Sequence, residues 1–230
     1  MIPLAPDLWI VDGPVVTGAA GFAFPTRMAV VRLPGEGGLW IWSPVAPEAD
    51  LLRAVTALGP VRHLIAPNAL HHLSLARWAE AFPEARVNAA PGLTPSVAGT
   101  TLDATLGDRA DAAWEGVIDQ VVLRGNRITT EVVFHHRPSG TVLITDWVQH
   151  IPAGFYSGWR ALVARLDLMS APAPEVPRKF RLATTDRAAA RRGVERMLAW
   201  EGPNLVMAHG APVLGAGDAA LRRAFRWLMT

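Results

Sequence analysis

Apolar and polar positions alternate with a period that changes several times along the chain, and each change marks a predicted element. Leu8–Val16 (LWIVDGPVV) and Thr26–Leu33 (TRMAVVRL) are rich in β-branched and aromatic residues and bounded by glycine and proline, which predicts two strands. Leu39–Ser43 (LWIWS) predicts a third, set off by the hairpin-like loop Pro34–Gly38. Glu48–Leu58 switches to helical spacing, with Leu51, Leu52, Val55 and Leu58 on one face, and Gly59-Pro60 ends it. Val61–Ala66 reads as a short buried strand closed by Pro67-Asn68, Leu70–Phe82 as a helix, and Arg86–Ala89 as another strand. The first half is thus a run of strands followed by β-helix-β-helix-β.

The second half partly repeats that order. Ile118–Arg124, Ile128–His135 and Thr141–Val148 form a second strand group, with Gly125-Asn126 as a hairpin turn. Gly158–Met169 has helical spacing, while Ala171–Pro177 is too rich in proline to be other than an extended loop. Thr185 or Asp186 is placed to cap a helix running to Trp200. Asn204–Ala208 predicts a last buried strand and Asp218–Met229 a closing amphipathic helix. No short repeat or low-complexity tract interrupts the pattern. Two strand groups, each followed by helices and a further strand, predict an α/β fold: a four-layer αββα sandwich formed by residues 1–230 as one domain.

Composition narrows the class. Of 230 residues, 50% are hydrophobic and 18% charged, enough to bury a large core and too apolar for a disordered chain. No apolar run approaches the roughly 20 residues of a membrane span. The opening residues, with Pro3, Pro6 and Asp7, do not read as a secretory leader, so a cytoplasmic protein away from membranes is expected. The absence of cysteine excludes disulfides, thiol catalysis and Cys-ligated metals. The pI near 9.9 suggests a nucleic-acid binder, yet the formal net charge is only +2. With one lysine (Lys179) and one tyrosine (Tyr156), almost nothing titrates between histidine and arginine, and the arginines are spread among acids. A nucleic-acid partner is therefore not expected.

The seven histidines raise the chemical question. His71-His72 follows a predicted strand, His135-His136 ends one, Asp146 ends the next, and His209 follows the last, before Gly210. Sites in layered α/β folds gather where strand ends meet loops, so this set is a candidate His/Asp metal site. Each residue alone has a plainer reading, as surface histidine or loop cap; the conjunction carries the argument. His63 and His150 read as structural or surface residues, and Asn68, in Pro-Asn before a helix, as a turn cap. Ser74, Ser139 and Ser157 lack a Gly-x-Ser-x-Gly setting, and no glycine-rich phosphate loop occurs. The nine tryptophans are expected mainly in the core, with Phe155, Tyr156 and Trp159 in a segment able to close over a site.

Three stretches resemble the metallo-β-lactamase superfamily. VRHLIAPNALHHL through RVNAAPG resembles its first motif region, in which a strand runs into His-x-His-x-Asp-His. EVVFHHRPSGTVLITDW is similar to its later His motif and the strand ending in a bridging Asp, and NLVMAHG to its last His motif. With the opening LWIVDGPV, the TRMAVVRLPGEGGLWIWSPV block and PNALHHL, nearly the whole chain resembles a bacterial branch of that superfamily built on a domain of unknown function. The departures are specific. Setting His72 on the family's last His of the first motif puts His71 on its Asp, and Pro67 and Ala69 on the two leading His positions. Neither can ligate through its side chain, so the first metal site is expected to be lost or rebuilt. The resemblance then implies a mononuclear centre of His71, His72, His209 and Asp146, with His136, or failing it His135, near the remaining first-site position. Zinc is the expected ion, with iron or manganese compatible with the same donors. The implied activity is hydrolysis of a small-molecule ester, amide, lactone or phosphoester by metal-activated water, with Asp146 and His136 as catalytic groups. The alternative is a non-catalytic or metal-free member that uses the cleft to bind a ligand or partner. Ala219–Met229 leaves oligomeric state open, its apolar face suiting either a second copy or the core.

Overall fold

Two sheets face each other across a shared apolar layer, and helices cover both outer faces. The structure is a computed structural model that describes residues 1–230. The first sheet has seven strands in chain order: β1 (Ile2–Ala5), β2 (Leu8–Thr17), β3 (Ala23–Arg32), β4 (Leu39–Trp42), β5 (Val61–Ala66), β6 (Arg86–Ala89) and β7 (Ala104–Thr105). It is antiparallel from β1 to β4 and parallel from β4 to β7. The parallel part needs crossovers, and α1 (Ala49–Thr56), α2 (Leu75–Ala81) and α3 (Pro95–Ala98) lie in them. The second sheet is ordered β11-β10-β9-β8, from β8 (Ile118–Leu123), β9 (Glu131–His136), β10 (Thr141–Ile144) and β11 (Asn204–Met207). Between β10 and β11 run α4 (Gly158–Leu166), α5 (Arg178–Ala183) and α6 (Arg187–Leu198), and α7 (Gly217–Met229) closes the chain.

Strand alternation explains the layering. Leu8, Ile10, Ala29, Trp40 and Trp42 of the first sheet meet Ile118, Val132, Phe134, Leu143 and Val206 of the second in one buried cluster. Trp40 sits edge-on to Phe134 and Trp114, with ring centroids 5.0 and 6.3 Å away. The residues between them face outward: Val30, Ile41 and Leu64 against Val55, Leu75 and Trp78 on one side, and Val121, Val133 and Leu205 against Phe180, Val194, Met197 and Phe225 on the other. The apolar face of α7 (Leu221, Ala224, Phe225, Leu228) is buried in this outer layer, so it belongs to the core. The expected αββα sandwich is the observed architecture, and among the described residues no helix is long and apolar enough to cross a membrane.

Several boundaries differ from expectation. The helix expected from Leu70 begins only at Leu75, because the Asn68 side chain takes the N–H groups of Leu70 and His71 and holds a turn there. The Gly125-Asn126 turn is not a tight hairpin: β8 ends at Leu123 and β9 starts at Glu131. The loop between them instead bonds outward, Gly125 O accepting from Thr185 and Asp186 N–H. The strand expected over Thr141–Val148 pairs only to Ile144, which leaves Asp146 in the loop beyond it. Asp186, one of the two expected caps, accepts from Ala189 N–H at the start of α6. β1 and β7 carry too few residues to announce themselves in the sequence.

Candidate metal centre

Strand direction decides which residues meet. β10 and β11 are parallel with Ile144 opposite Met207, so Asp146 and His209 each lie two residues past that pair and emerge side by side. β5 of the facing sheet ends at Ala66 and delivers Asn68 and His71 through the Pro67 turn. Ligand-type atoms of His71, Asp146 and His209 fall within 4.8 Å of one another. His71 Nε2 lies 3.2 Å from Asp146 Oδ2 and 3.2 Å from His209 Nε2, and His209 Nε2 lies 3.4 Å from Asp146 Oδ1. All three side chains are at most 8% exposed.

A ring of contacts fixes them. His209 Nδ1 sits 2.7 Å from Pro25 O, which can only accept, so Nδ1 carries the proton and Nε2 turns to Asp146. His71 Nδ1 meets Ser43 Oγ at 2.8 Å, a hydroxyl able to accept or donate as the ring requires. Ser43, just past the end of β4, is a non-glycine residue with φ of 51°, a left-handed backbone that costs energy and recurs at functional positions. Arg27 brackets His209 from outside: Nη1 donates to Met207 O at 2.9 Å and also to Gly210 O, and Nη2 pairs with Asp12 at 2.6 Å. Phe24 lies against the His209 ring at 5.3 Å. Tyr156 Oη donates to Ala23 O at 2.6 Å, tying the segment before α4 to the start of β3.

Beneath Asp146 lies a second carboxylate. Glu131 is fully buried and accepts from three successive backbone N–H groups, those of Thr145, Asp146 (2.9 Å) and Trp147 (3.1 Å). Asn68 bridges the two acids, its Nδ2 donating to Asp146 Oδ2 at 2.7 Å and Thr145 Oγ1 at 2.8 Å, with Glu131 Oε2 at 3.5 Å. Burial, then the Asp146 charge, pushes the Glu131 carboxyl up to about 7. Burial also pushes Asp146 up, but His71 and His209 together more than reverse it and hold the carboxyl well below the ordinary range. Burial lowers His71 despite Asp146; for His209 the hydrogen bond and charge of Asp146 outweigh burial and raise it.

The other expected site residues lie elsewhere. His72 stands beside His71 in the turn but outside the trio, half-buried, lowered by burial and by His71. His136, expected near the site, also lies apart from the trio. β9 and β10 are antiparallel with His136 opposite Thr141, so the end of β9 lies at the start of β10. Five strand steps, about 16 Å, separate it from Glu131 at the site end. There its Nδ1 meets Ser139 Oγ at 2.7 Å. His135 stacks on Trp200 with its Nδ1 3.6 Å from Asp119. His63 is buried against Trp114, in line with a structural role. Trp147, next to Asp146, is wholly buried and stacks on Phe225. Asn68 caps its turn as expected and also holds Asp146. Glu131, Ser43 and Arg27 are not among the residues the sequence pattern singles out. For Glu131 a signal exists: one acid opening the apolar run VVF.

A family model for a domain of unknown function, DUF4336, matches residues 7–157, about two thirds of the chain. The chain belongs to the DUF4336 family. The match takes in Ser43, His71, Glu131 and Asp146, while His209 lies beyond it. No curated protein matches this DUF4336 chain in sequence. Among solved structures it is similar to a metallo-β-lactamase from Pontibacter korlensis, with TM-score 0.65 and 13% identity, covering 99% of this chain and 97% of that one. It is also similar to the metallo-β-lactamase FIM-1 from Pseudomonas aeruginosa in its mono-zinc form (TM-score 0.64, 11% identity, 100% and 96% covered). A flavodiiron core from Synechocystis matches with TM-score 0.67 and 11% identity over 99% of this chain and 60% of that one. At such identities the likeness is one of fold: this DUF4336 protein has the metallo-β-lactamase fold, and its His71–Asp146–His209 cluster is a possible metal site.

Proposed function

We propose that this DUF4336 protein is a mononuclear metal-dependent hydrolase whose ligands are His71, Asp146 and His209. The observation that carries the reading is the convergence of two imidazole Nε2 atoms and one carboxylate at 3.2–3.4 Å. Ligands at about 2.0–2.1 Å in a tetrahedron around zinc stand about 3.3 Å apart, so the trio fits such an ion. Two imidazole nitrogens and a carboxylate also suit iron or manganese. A bound divalent ion supplies Lewis acidity and brings the ionisation of a coordinated water near neutral pH. The chain's own residues do the rest. Asp146 stays ionised between its two histidines. Pro25 O keeps the His209 Nε2 lone pair turned inward, and Ser43 Oγ does so for His71 by accepting its Nδ1 proton. Glu131 and Asn68 lock the turn bearing Asp146. Three protein ligands leave room for water and a substrate oxygen, which supports attack on a small-molecule ester, amide, lactone or phosphoester.

A second reading has its own support. Asp146 raises His209, so a proton on His209 can stand in for a cation, and the three side chains are nearly closed from solvent. On that reading the scaffold is non-catalytic and its cleft binds a ligand or partner. A hydrolysis panel separates the two. Zinc-, iron- and manganese-loaded protein is assayed on chromogenic esters, lactones, β-lactams and phosphodiesters beside His209→Ala. Turnover of one class, lost in the variant, is expected; fully metallated protein that turns over none of them favours the binding reading.

A further inference from the structure

We infer that Asn68 limits this centre to one cation, its side-chain nitrogen occupying the place a second ion would take. The inference rests on the metal-centre reading above. The amide orientation is fixed by its partners: Oδ1 accepts from Leu70 N at 2.8 Å and His71 N at 3.1 Å, so Nδ2 is the end that faces the acids. There its three hydrogen-bond partners are all oxygens, Asp146 Oδ2 at 2.7 Å, Thr145 Oγ1 at 2.8 Å and Glu131 Oε2 at 3.5 Å. Two carboxylates and a hydroxyl around one point are the donor set of a hard divalent ion. Asn68 and Glu131 are wholly buried and Asp146 nearly so, so water does not screen these oxygens. A neutral NH2 group in that cage donates a proton to each of two acceptors, satisfies the outer side of Asp146, and brings no charge. Asp146 Oδ2 is then committed on that side, and the carboxylate serves only the ion held with His71 and His209.

The substitution that tests this keeps the turn and reverses the polarity. Asn68→Asp retains an oxygen for Leu70 and His71 N–H but replaces the donor with a fourth oxygen, making the cage a cation site. Asn68→Ser, which keeps a short turn-capping oxygen and vacates the Nδ2 position, is the second variant. Metal-free wild type, both variants and Asn68→Asp/Glu131→Gln are titrated with Zn2+ and separately with Mn2+. Bound ions per chain are counted by mass spectrometry after gel filtration, and the Mn2+ samples are examined by electron paramagnetic resonance for coupling between neighbouring ions. The expected counts are about one for wild type, about two for Asn68→Asp with a coupled Mn2+ signal, and about one again when Glu131→Gln is added. Asn68→Ser is expected to take up a second Mn2+ more weakly than Asn68→Asp. A second tight ion in wild type overturns the inference, as does a count of one in both single variants with native circular dichroism. No ion in wild type overturns the metal-centre reading itself, and this inference with it.

Discussion

His209 has no freedom of tautomer. Pro25 O accepts and cannot donate, so Nδ1 keeps its proton and Nε2, beside Asp146, is the nitrogen left to take a metal ion or a second proton. His71 depends on a hydroxyl instead, and Ser43→Ala leaves its ring without that partner. Removing such an outer partner costs about 10–100-fold in metal affinity. Ser43→Ala should therefore bind the same number of ions with affinity weakened by that factor, measured by competition with a chromogenic chelator. His136 gives the opposite prediction. It is buried, and burial, then the neighbouring His135, lowers it from 6.5 to about 4. The unfolded chain takes up this proton first, so its contribution to stability is complete above pH 6.5 and is lost as pH falls towards 4. Urea unfolding of His136→Gln should show less acid destabilisation than wild type between those limits, by up to roughly 3 kcal/mol, with metal content unchanged. Loss of metal in His136→Gln would contradict the placement. Histidines and an aspartate at strand ends were legible because such residue types stand out among apolar runs; Pro25 O and Ser43 were not, because a backbone carbonyl and an ordinary serine carry no mark in a sequence.

Register is the cause at the scale of elements. Asp146 and His209 meet because β10 and β11 run parallel; His136 is excluded because β9 runs the other way. A one-dimensional pattern gives both ends of a strand the same appearance, and only the neighbour's direction says which end faces the site. Val61–Ala66 and Arg86–Ala89, buried runs cut short by proline and glycine, were legible to the residue for that reason. The start of α2 was not, because a side chain, Asn68, competes with the helix for its first N–H groups. The exit of β11 is similarly exacting. Gly210 has φ of 150°, and a Cβ there would meet His150 O at 2.4 Å and other His150 backbone atoms within 3.0 Å. Backbone of a paired segment cannot yield cheaply, so Gly210→Ala should cost about 3 kcal/mol or more by urea unfolding. It should also displace His209 and weaken metal binding, whereas Gly35→Ala, which has a similarly unusual φ of 61° but open space around it, tests strain alone.

Across the whole molecule, the site stands on the seam between the two sheets: His71 comes from the first, Asp146 and His209 from the second. The αββα order was legible because two strand groups each followed by helices have few ways to bury both faces. The packing that joins them was not, since no pattern says that Trp40 meets Phe134. Trp40→Ala should cost about 3–5 kcal/mol and loosen both halves of the site together. An ion that binds only when the sheets are docked should in turn stabilise the fold, by about 2.7 kcal/mol at a free concentration 100 times its Kd. The most direct test of the central claim is the metal content of protein purified without chelator or metal-leaching resin, measured by mass spectrometry beside His209→Ala. The account predicts about one zinc, iron or manganese per chain, lost in the variant. Protein that stays free of metal after incubation with all three ions would contradict it.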